Sequence, residues 1–259
     1  MLSKALSRTL RTATFAAAGA ITLALASTGM AHAEPIHNVV LVHGAYADGS
    51  SWSEVIPRLQ KAGLHVTAVQ NPLTSLADDV EATRRILAQQ DGPTVLVAHS
   101  WGGMVISQAG VDPKVAALVY VAARAPDAGE DYGALAARFP TPPASAGLVK
   151  SPDGFAQLNE QAFVHDFAGD LDPARAEALY AVQQRVAVTL FSGRTTDAAW
   201  HSKPSWYAVS ANDRTISPEL QRFMAKRMGA TTIELPASHV SLISHPDEIT
   251  ALILKAAGK

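Results

Sequence analysis

Residues 94–108 read Thr-Val-Leu-Val-Ala-His-Ser-Trp-Gly-Gly-Met-Val-Ile-Ser-Gln, and this order predicts a buried strand, a sharp turn and a helix. Ser100 lies at the turn. A serine there adopts a strained backbone, and the small residues Ala98 and Gly102 allow strand and helix to approach each other. The turn also places Ser100 at a helix N-terminus, where free N–H groups favour negative charge on an oxygen. We therefore predict that Ser100 is a nucleophile.

Outward from this stretch, apolar strand-like runs alternate with segments of helical periodicity. This alternation predicts an α/β fold with a mostly parallel central sheet flanked by helices, because parallel strands need crossover connections. The predicted strands are 39–42, 65–70, 94–98, 115–122, 206–210 and 231–235, and the predicted helices are 52–62, 76–90, 218–228 and 246–257.

The alternation stops between residues 124 and 203, which are rich in Pro, Ala, Asp and aromatic residues. A loop of this length without its own structure is uncommon in a compact domain. Helical patterns near 154–164 and 173–188 predict an inserted helical cap over about 124–203, within a single domain of residues 34–259. Several large apolar residues of the cap are candidates for lining a substrate pocket: Phe139, Leu148, Phe155, Phe163, Phe167, Leu179, Tyr180 and Trp200.

A serine hydroxyl needs a base, and the base needs a carboxylate that fixes its tautomer. His239 follows the last predicted strand and Asp213 follows the strand before it, so both lie where the loops of an open α/β sheet carry functional groups. His245 is the rival base, but it directly precedes Pro246 at a helix start, where packing or capping is the simpler role. His99 is expected to be structural, because adjacent side chains of a tight turn diverge.

The first predicted strand ends in His43-Gly44-Ala45, where glycine permits a tight backbone turn towards the nucleophile. The backbone N–H groups of Ala45 and Trp101 are predicted to form the oxyanion hole, which stabilises the charge that develops in acyl transfer.

The N-terminal 33 residues have the pattern of a secretory signal peptide. Three basic residues precede an uncharged, Ala-rich apolar stretch, and Ala31-His-Ala33 provides a cleavage site before Glu34. We expect export to a bacterial periplasm or the medium, with no stable membrane anchor after processing.

Composition excludes several other classes of protein. Without residues 1–33 the chain has 18 basic and 23 acidic residues, a formal net charge of −5, and no basic stripe for nucleic acid. The absence of cysteine excludes disulfides, a thiolate metal site and a cysteine nucleophile. We expect no metal and no organic cofactor. The oligomeric state is left open.

Over the mature chain the sequence resembles the α/β-hydrolase superfamily. The resemblance rests on His43-Gly-Ala45, on Ser100 within Ala98-His-Ser-Trp-Gly102, and on Asp213 and His239 in that order. Within the superfamily, His43-Gly-Ala45 followed by Trp52 resembles the small-ester group that includes plant methyl esterases and hydroxynitrile lyases. Ala98 departs from the commoner first glycine of the elbow, and this change is tolerated.

The resemblance implies a serine carboxylesterase that cleaves small or medium apolar esters through an acyl-enzyme. Three alternatives remain. Hydroxynitrile lyases of the group carry threonine where this chain has Gly44 and lysine where it has Val240, so both lyase features are missing. A cofactor-free haloperoxidase would use the same triad. A non-catalytic binding protein is disfavoured by the complete set of three residues.

Overall fold

The computed structural model describes residues 1–2 and 35–259. The predicted signal peptide, residues 1–33, lies outside the described residues apart from its first two. Across the described residues, no helix combines the length and the hydrophobicity that crossing a membrane requires.

In the first part of the described chain, strands of the central sheet alternate with crossover helices. The elements of this part, in chain order, are β1 (Asn38–Val42), α1 (Ile56–Lys61), β2 (His65–Val69), α2 (Leu76–Ala88), β3 (Thr94–His99), α3 (Gly102–Ala109) and β4 (Val115–Val121). β1 and β3 are buried at every position, as expected of apolar runs covered on both faces. Ser75 caps the N-terminus of α2, because its hydroxyl accepts a hydrogen bond from the Asp78 N–H.

The segment between β4 and the fifth strand of the central sheet differs from the predicted helical cap, because it contains strands as well as helices. Its regular elements are α4 (Tyr132–Ala136), β5 (Leu148–Lys150), β6 (Phe155–Leu158), α5 (Pro173–Ala181) and β7 (Val186–Ala187). The three strands form an antiparallel sheet in the order β5-β6-β7, and a π-helical segment spans Ala162–Phe167. The expectation of a helix over 154–164 was therefore wrong for its first part.

The chain then completes the central sheet. The remaining elements are β8 (Ser205–Ser210), α6 (Pro218–Arg227), β9 (Thr231–Leu235), α7 (Ser241–Ser244) and α8 (Pro246–Ala256). The six strands of the sheet are all parallel, in the order β2-β1-β3-β4-β8-β9. Parallel strands place their carboxyl ends at one edge, so the loops after β1, β3, β8 and β9 converge there. The α/β fold with a parallel central sheet is confirmed.

Candidate active site

Ser100 occupies the turn between β3 and α3 in a strained conformation. Its φ is 53°, in the left-handed region that a residue with a side chain rarely adopts. The turn is fixed from both sides, because the Ser100 N–H donates to the Val121 carbonyl and the Ser100 carbonyl accepts from the Arg124 N–H. A Cβ at Gly102 would lie 2.8 Å from the Val42 carbonyl oxygen. Only glycine at 102 therefore allows helix α3 to approach β1 this closely.

The structure brings Ser100, His239 and Asp213 together in a hydrogen-bonded chain. The Ser100 hydroxyl lies 2.7 Å from His239 Nε2, and His239 Nδ1 lies 2.7 Å from Asp213 Oδ2. The side chains of the histidine and the aspartate are completely buried. Since Nδ1 faces a carboxylate, it carries the proton, and Nε2 is left free to accept the serine proton.

Three donors besides His239 hold the Asp213 carboxylate. Its Oδ1 accepts from the backbone N–H groups of Thr215 and Ile216, at 2.7 and 3.0 Å. Its Oδ2 also accepts from Gln221 Nε2, at 2.7 Å. Sequence reasoning missed Gln221. The feature of the sequence that could have indicated it is a polar residue on the apolar, buried face of α6, between Leu220 and Met224.

Two buried histidines support the loops of the site. The ring of His99 lies 4.7 Å from that of His239, and His99 Nε2 donates to the His239 carbonyl at 2.9 Å. Burial, and after it the proximity of His239, holds the pKa of His99 well below its usual value, so the ring is neutral. His43 Nδ1 donates to the Gly44 carbonyl, and its Nε2 accepts from the Asn71 N–H. These contacts fix the turn that leads into Ala45.

His245, the rival base, lies apart from this chain of hydrogen bonds. Its Nδ1 bonds to the adjacent Ser244 hydroxyl at 2.9 Å, and the residue immediately precedes α8. This position matches the packing role expected from the sequence.

The two candidate oxyanion donors, Ala45 and Trp101, line the same cavity as Ser100. Among the described residues, no group accepts a hydrogen bond from either backbone N–H. The Trp101 indole is anchored below, donating to the buried Asp79 carboxylate at 2.8 Å. Desolvation raises the pKa of Asp79 to about 6, although the hydrogen bond from the indole opposes the shift. Since neither backbone N–H has an acceptor among the described residues, both amides are available to a ligand oxygen.

The cavity over Ser100 has a volume of about 250 Å³ and is lined mainly by apolar and aromatic side chains. Of the eight cap residues singled out in the sequence, Leu148 lines it. Phe163, Phe167 and Leu179 instead line a separate cavity of about 30 Å³. Residues that the sequence analysis did not single out contribute more to the walls: Tyr46, Arg124, Tyr132, Leu158, Phe191 and Ile216.

The groups gathered at the site are suited to acyl transfer. Within residues 35–259 there is no group of three or more His, Asp or Glu side chains placed to hold a metal ion. The site combines a hydroxyl bonded to an imidazole, an imidazole bonded to a carboxylate, and two N–H groups beside the same cavity. Such an arrangement can attack a carbonyl and stabilise the resulting oxyanion.

Comparison with known proteins identifies the family of the chain. "Esterase PIR7B" from Oryza sativa subsp. japonica is 27% identical, over 85% of this chain and 95% of its own length. "Methylesterase 7" from Arabidopsis thaliana is 28% identical, over 85% and 96%. The crystal structure of polyneuridine aldehyde esterase superposes with a TM-score of 0.72 at 21% identity, over 85% of this chain and 98% of that one. The family model described as "Alpha/beta hydrolase family" matches residues 39–252, and the chain therefore belongs to that family.

Proposed function

We propose that this protein is a serine carboxylesterase that acts on small or medium esters. The observation that carries the proposal is the chain of hydrogen bonds from the Ser100 hydroxyl through His239 to Asp213. Ser100, at one end of this chain, lines the cavity. Relatives over nearly the whole chain that are named as an esterase and a methylesterase support the same chemistry.

In the proposed reaction, Ser100 Oγ attacks the ester carbonyl while His239 Nε2 takes the hydroxyl proton. Asp213 stabilises the imidazolium, and the N–H groups of Ala45 and Trp101 bind the oxyanion. His239 then returns the proton to the leaving alcohol. Water, activated by the same imidazole, attacks the acyl-enzyme and releases the acid.

Gly44 favours hydrolysis over the lyase reaction of related proteins. A Cβ at position 44 would lie 2.7 Å from the Ser100 Cβ and 3.0 Å from His99 Nδ1, so this turn has no room for a side chain. Position 240, directly after the base, is a buried valine and supplies no positive charge for a departing anion. No observation favours the haloperoxidase-like activity, and assaying peroxide-dependent halogenation beside ester cleavage tests it directly.

The proposal is tested with p-nitrophenyl esters of increasing acyl length. We expect the wild type to hydrolyse short and medium esters and Ser100→Ala to lose more than about 1,000-fold in kcat, because the nucleophile is removed. The matched control is Ser53→Ala, at an exposed serine. A fluorophosphonate should label the wild type and the control but not Ser100→Ala. Equal, slow hydrolysis by all three proteins would remove the esterase assignment.

A further inference from the structure

Arg124 is tied to the nucleophile through its backbone. It follows β4 after two buried alanines, and its N–H donates to the Ser100 carbonyl at 3.0 Å. A Cβ at Gly103 would lie 2.0 Å from the Arg124 carbonyl oxygen, so the backbones of the two segments are in direct contact. The start of the Arg124 side chain is therefore fixed relative to Ser100, and the side chain lines the cavity that contains the serine.

The Arg124 guanidinium lies among aromatic rings and not beside a carboxylate. Its central carbon is 4.5 Å from the Phe191 ring centroid, 4.6 Å from that of Tyr132 and 5.5 Å from that of Trp101. Within the described residues, no group accepts a hydrogen bond from its side chain or forms an ion pair with it, and its Nε is buried without a partner. Most other arginines of these residues do pair with carboxylates: Arg58, Arg85, Arg175, Arg185, Arg194, Arg214, Arg222 and Arg227.

The neighbouring phenols do not neutralise this charge. Burial raises the pKa of Tyr46 and of Tyr132 to about 12, so both are uncharged near neutral pH. The Tyr132 hydroxyl is itself buried without a hydrogen-bond partner, and it lines the same cavity. Two unsatisfied donor groups, one of them cationic, thus meet in the pocket next to the nucleophile.

Arg124 as a whole is partly buried, but its Nε is shielded from water and surrounded by rings. A cation withdrawn from water is costly unless an anion pairs with it, and π faces alone satisfy none of its N–H groups. The planar fork of a guanidinium matches a carboxylate in a bidentate arrangement. We propose that the substrates of this pocket are esters that carry a free carboxylate, which Arg124 binds with help from the Tyr132 hydroxyl while Ser100 attacks the ester carbonyl. This inference rests on the proposed esterase function, and it replaces the apolar substrates expected from the sequence because a cation lines the cavity.

The test compares charged substrates with uncharged isosteres. One arm uses monoethyl esters of succinic, glutaric and adipic acid, which carry the carboxylate on the acyl part, against the corresponding ester amides. The other arm uses the butanoyl ester of glycolate against that of glycolamide, which moves the charge to the alcohol part. We expect the wild type to prefer the charged member of at least one pair by about 10- to 100-fold in kcat/KM, the effect of a charge-assisted hydrogen bond.

Variants connect this preference to Arg124. Arg124→Met keeps an apolar chain among the rings and removes the charge, so the ratio of charged to uncharged substrate should fall to about one or below; Arg124→Lys should restore part of it. Tyr132→Phe should lower the ratio by a smaller factor. The matched control is Arg84→Met, at an exposed arginine of α2, which makes the same change in net charge and should keep the wild-type ratio.

The proposal is overturned if the wild type shows no preference for charge in either arm, or if Arg124→Met lowers kcat/KM for both members of each pair equally. The esterase assignment survives either result, provided that the wild type cleaves the uncharged esters and Ser100→Ala does not. If Arg124→Met fails to fold, inhibition of the wild type decides: free glutarate should compete with substrate at least about tenfold better than glutaramide. Equal inhibition would also overturn the proposal.

Discussion

Replacing Gln221 tests whether the site depends on the support behind Asp213. Gln221 Nε2 donates to Asp213 Oδ2 at 2.7 Å and to the Ile216 carbonyl at 3.1 Å, while its Oε1 accepts from the Ser210 N–H at 3.0 Å. The side chain is fully buried. Gln221→Met keeps the length and approximate shape of the side chain and removes all three hydrogen bonds.

The hydrogen bonds set the size of the expected effect. Two of them join neutral groups, worth about 1 kcal/mol each, and one joins a carboxylate, worth about 1.5–3 kcal/mol. Methionine recovers part of this through apolar burial, so we expect the free energy of unfolding to fall by about 3 kcal/mol. Asp213 keeps the N–H groups of Thr215 and Ile216. We therefore expect kcat to fall about tenfold, far less than the roughly 10,000-fold cost of losing a triad aspartate.

Urea unfolding and steady-state kinetics on a p-nitrophenyl ester measure both effects. KM should change little, because Gln221 does not line the cavity. The matched control, Gln60→Met, lies on the exposed side of α1 and should leave stability and kcat as in the wild type. Wild-type kcat in a correctly folded Gln221→Met protein would refute the reasoning, and so would a loss of stability below about 1 kcal/mol.

The pH dependence of kcat in Gln221→Glu tests whether Gln221 acts through the Asp213 carboxylate, because a purely structural role would not change it. The introduced carboxyl lies against the Asp213 carboxylate, and two adjacent carboxyl groups share one proton. While it is protonated it can donate to Asp213, and once it ionises the two charges repel each other. We expect kcat of Gln221→Glu to decline as pH rises through this ionisation, in a range where Gln221→Met shows no such decline.

Three further predictions follow from single contacts. Burial raises the pKa of Asp79 to about 6, above its value in the unfolded chain, so the folded state loses stability as this carboxyl ionises. In denaturant unfolding, the free energy of unfolding of the wild type relative to Asp79→Asn should therefore fall by about 2–3 kcal/mol between about pH 4 and pH 7. A difference that stays constant over this range would contradict the prediction. Gly44→Ala places a Cβ 2.7 Å from the Ser100 Cβ and should lower kcat/KM for p-nitrophenyl butyrate by about 100-fold, whereas wild-type kinetics would show that the turn yields. N-terminal sequencing of the protein exported by a bacterial host should begin at Glu34, and a product that retains residues 1–33 would contradict the predicted cleavage.

The central sheet was predictable because its signals are local. The apolar run at β3 marks a strand by composition alone, and β9 is marked by its β-branched Thr231, Thr232 and Ile233, so that the predicted 231–235 coincides with it. The turn at Ser100 was equally predictable, because it requires small residues at positions 98 and 102, and both lie within two residues of the serine in the sequence. Asp213 and His239 were found because each follows a strand whose carboxyl end lies at a known edge of the sheet.

The region after β4 was harder to predict because its structure depends on distant pairing. β6 consists of four residues that extend only because β5 and β7 lie on either side of it, and such contacts leave no periodic pattern. Arg124 gave no local signal for the same reason. The rings around its guanidinium come from three separate segments, at Trp101, Tyr132 and Phe191, which only the fold brings together.

The direct pairing of β4 with β8 has a consequence for how this protein can diversify. The two strands are parallel, hydrogen-bonded neighbours, with Leu118 opposite Ser205 and Val121 opposite Ala208. The eighty or so residues between them therefore leave the sheet at the carboxyl end of β4 and re-enter it at the amino end of β8, about 11 Å away. Because the pairing of β4 with β8 fixes the separation of its two ends, that stretch can be exchanged for one of another length at little entropic cost, about 0.6 kcal/mol for each doubling. Transplanting the corresponding stretch of a relative, joined after Arg124 and before Ser205, should therefore give a hybrid with altered substrate selection and an unaltered chemical step.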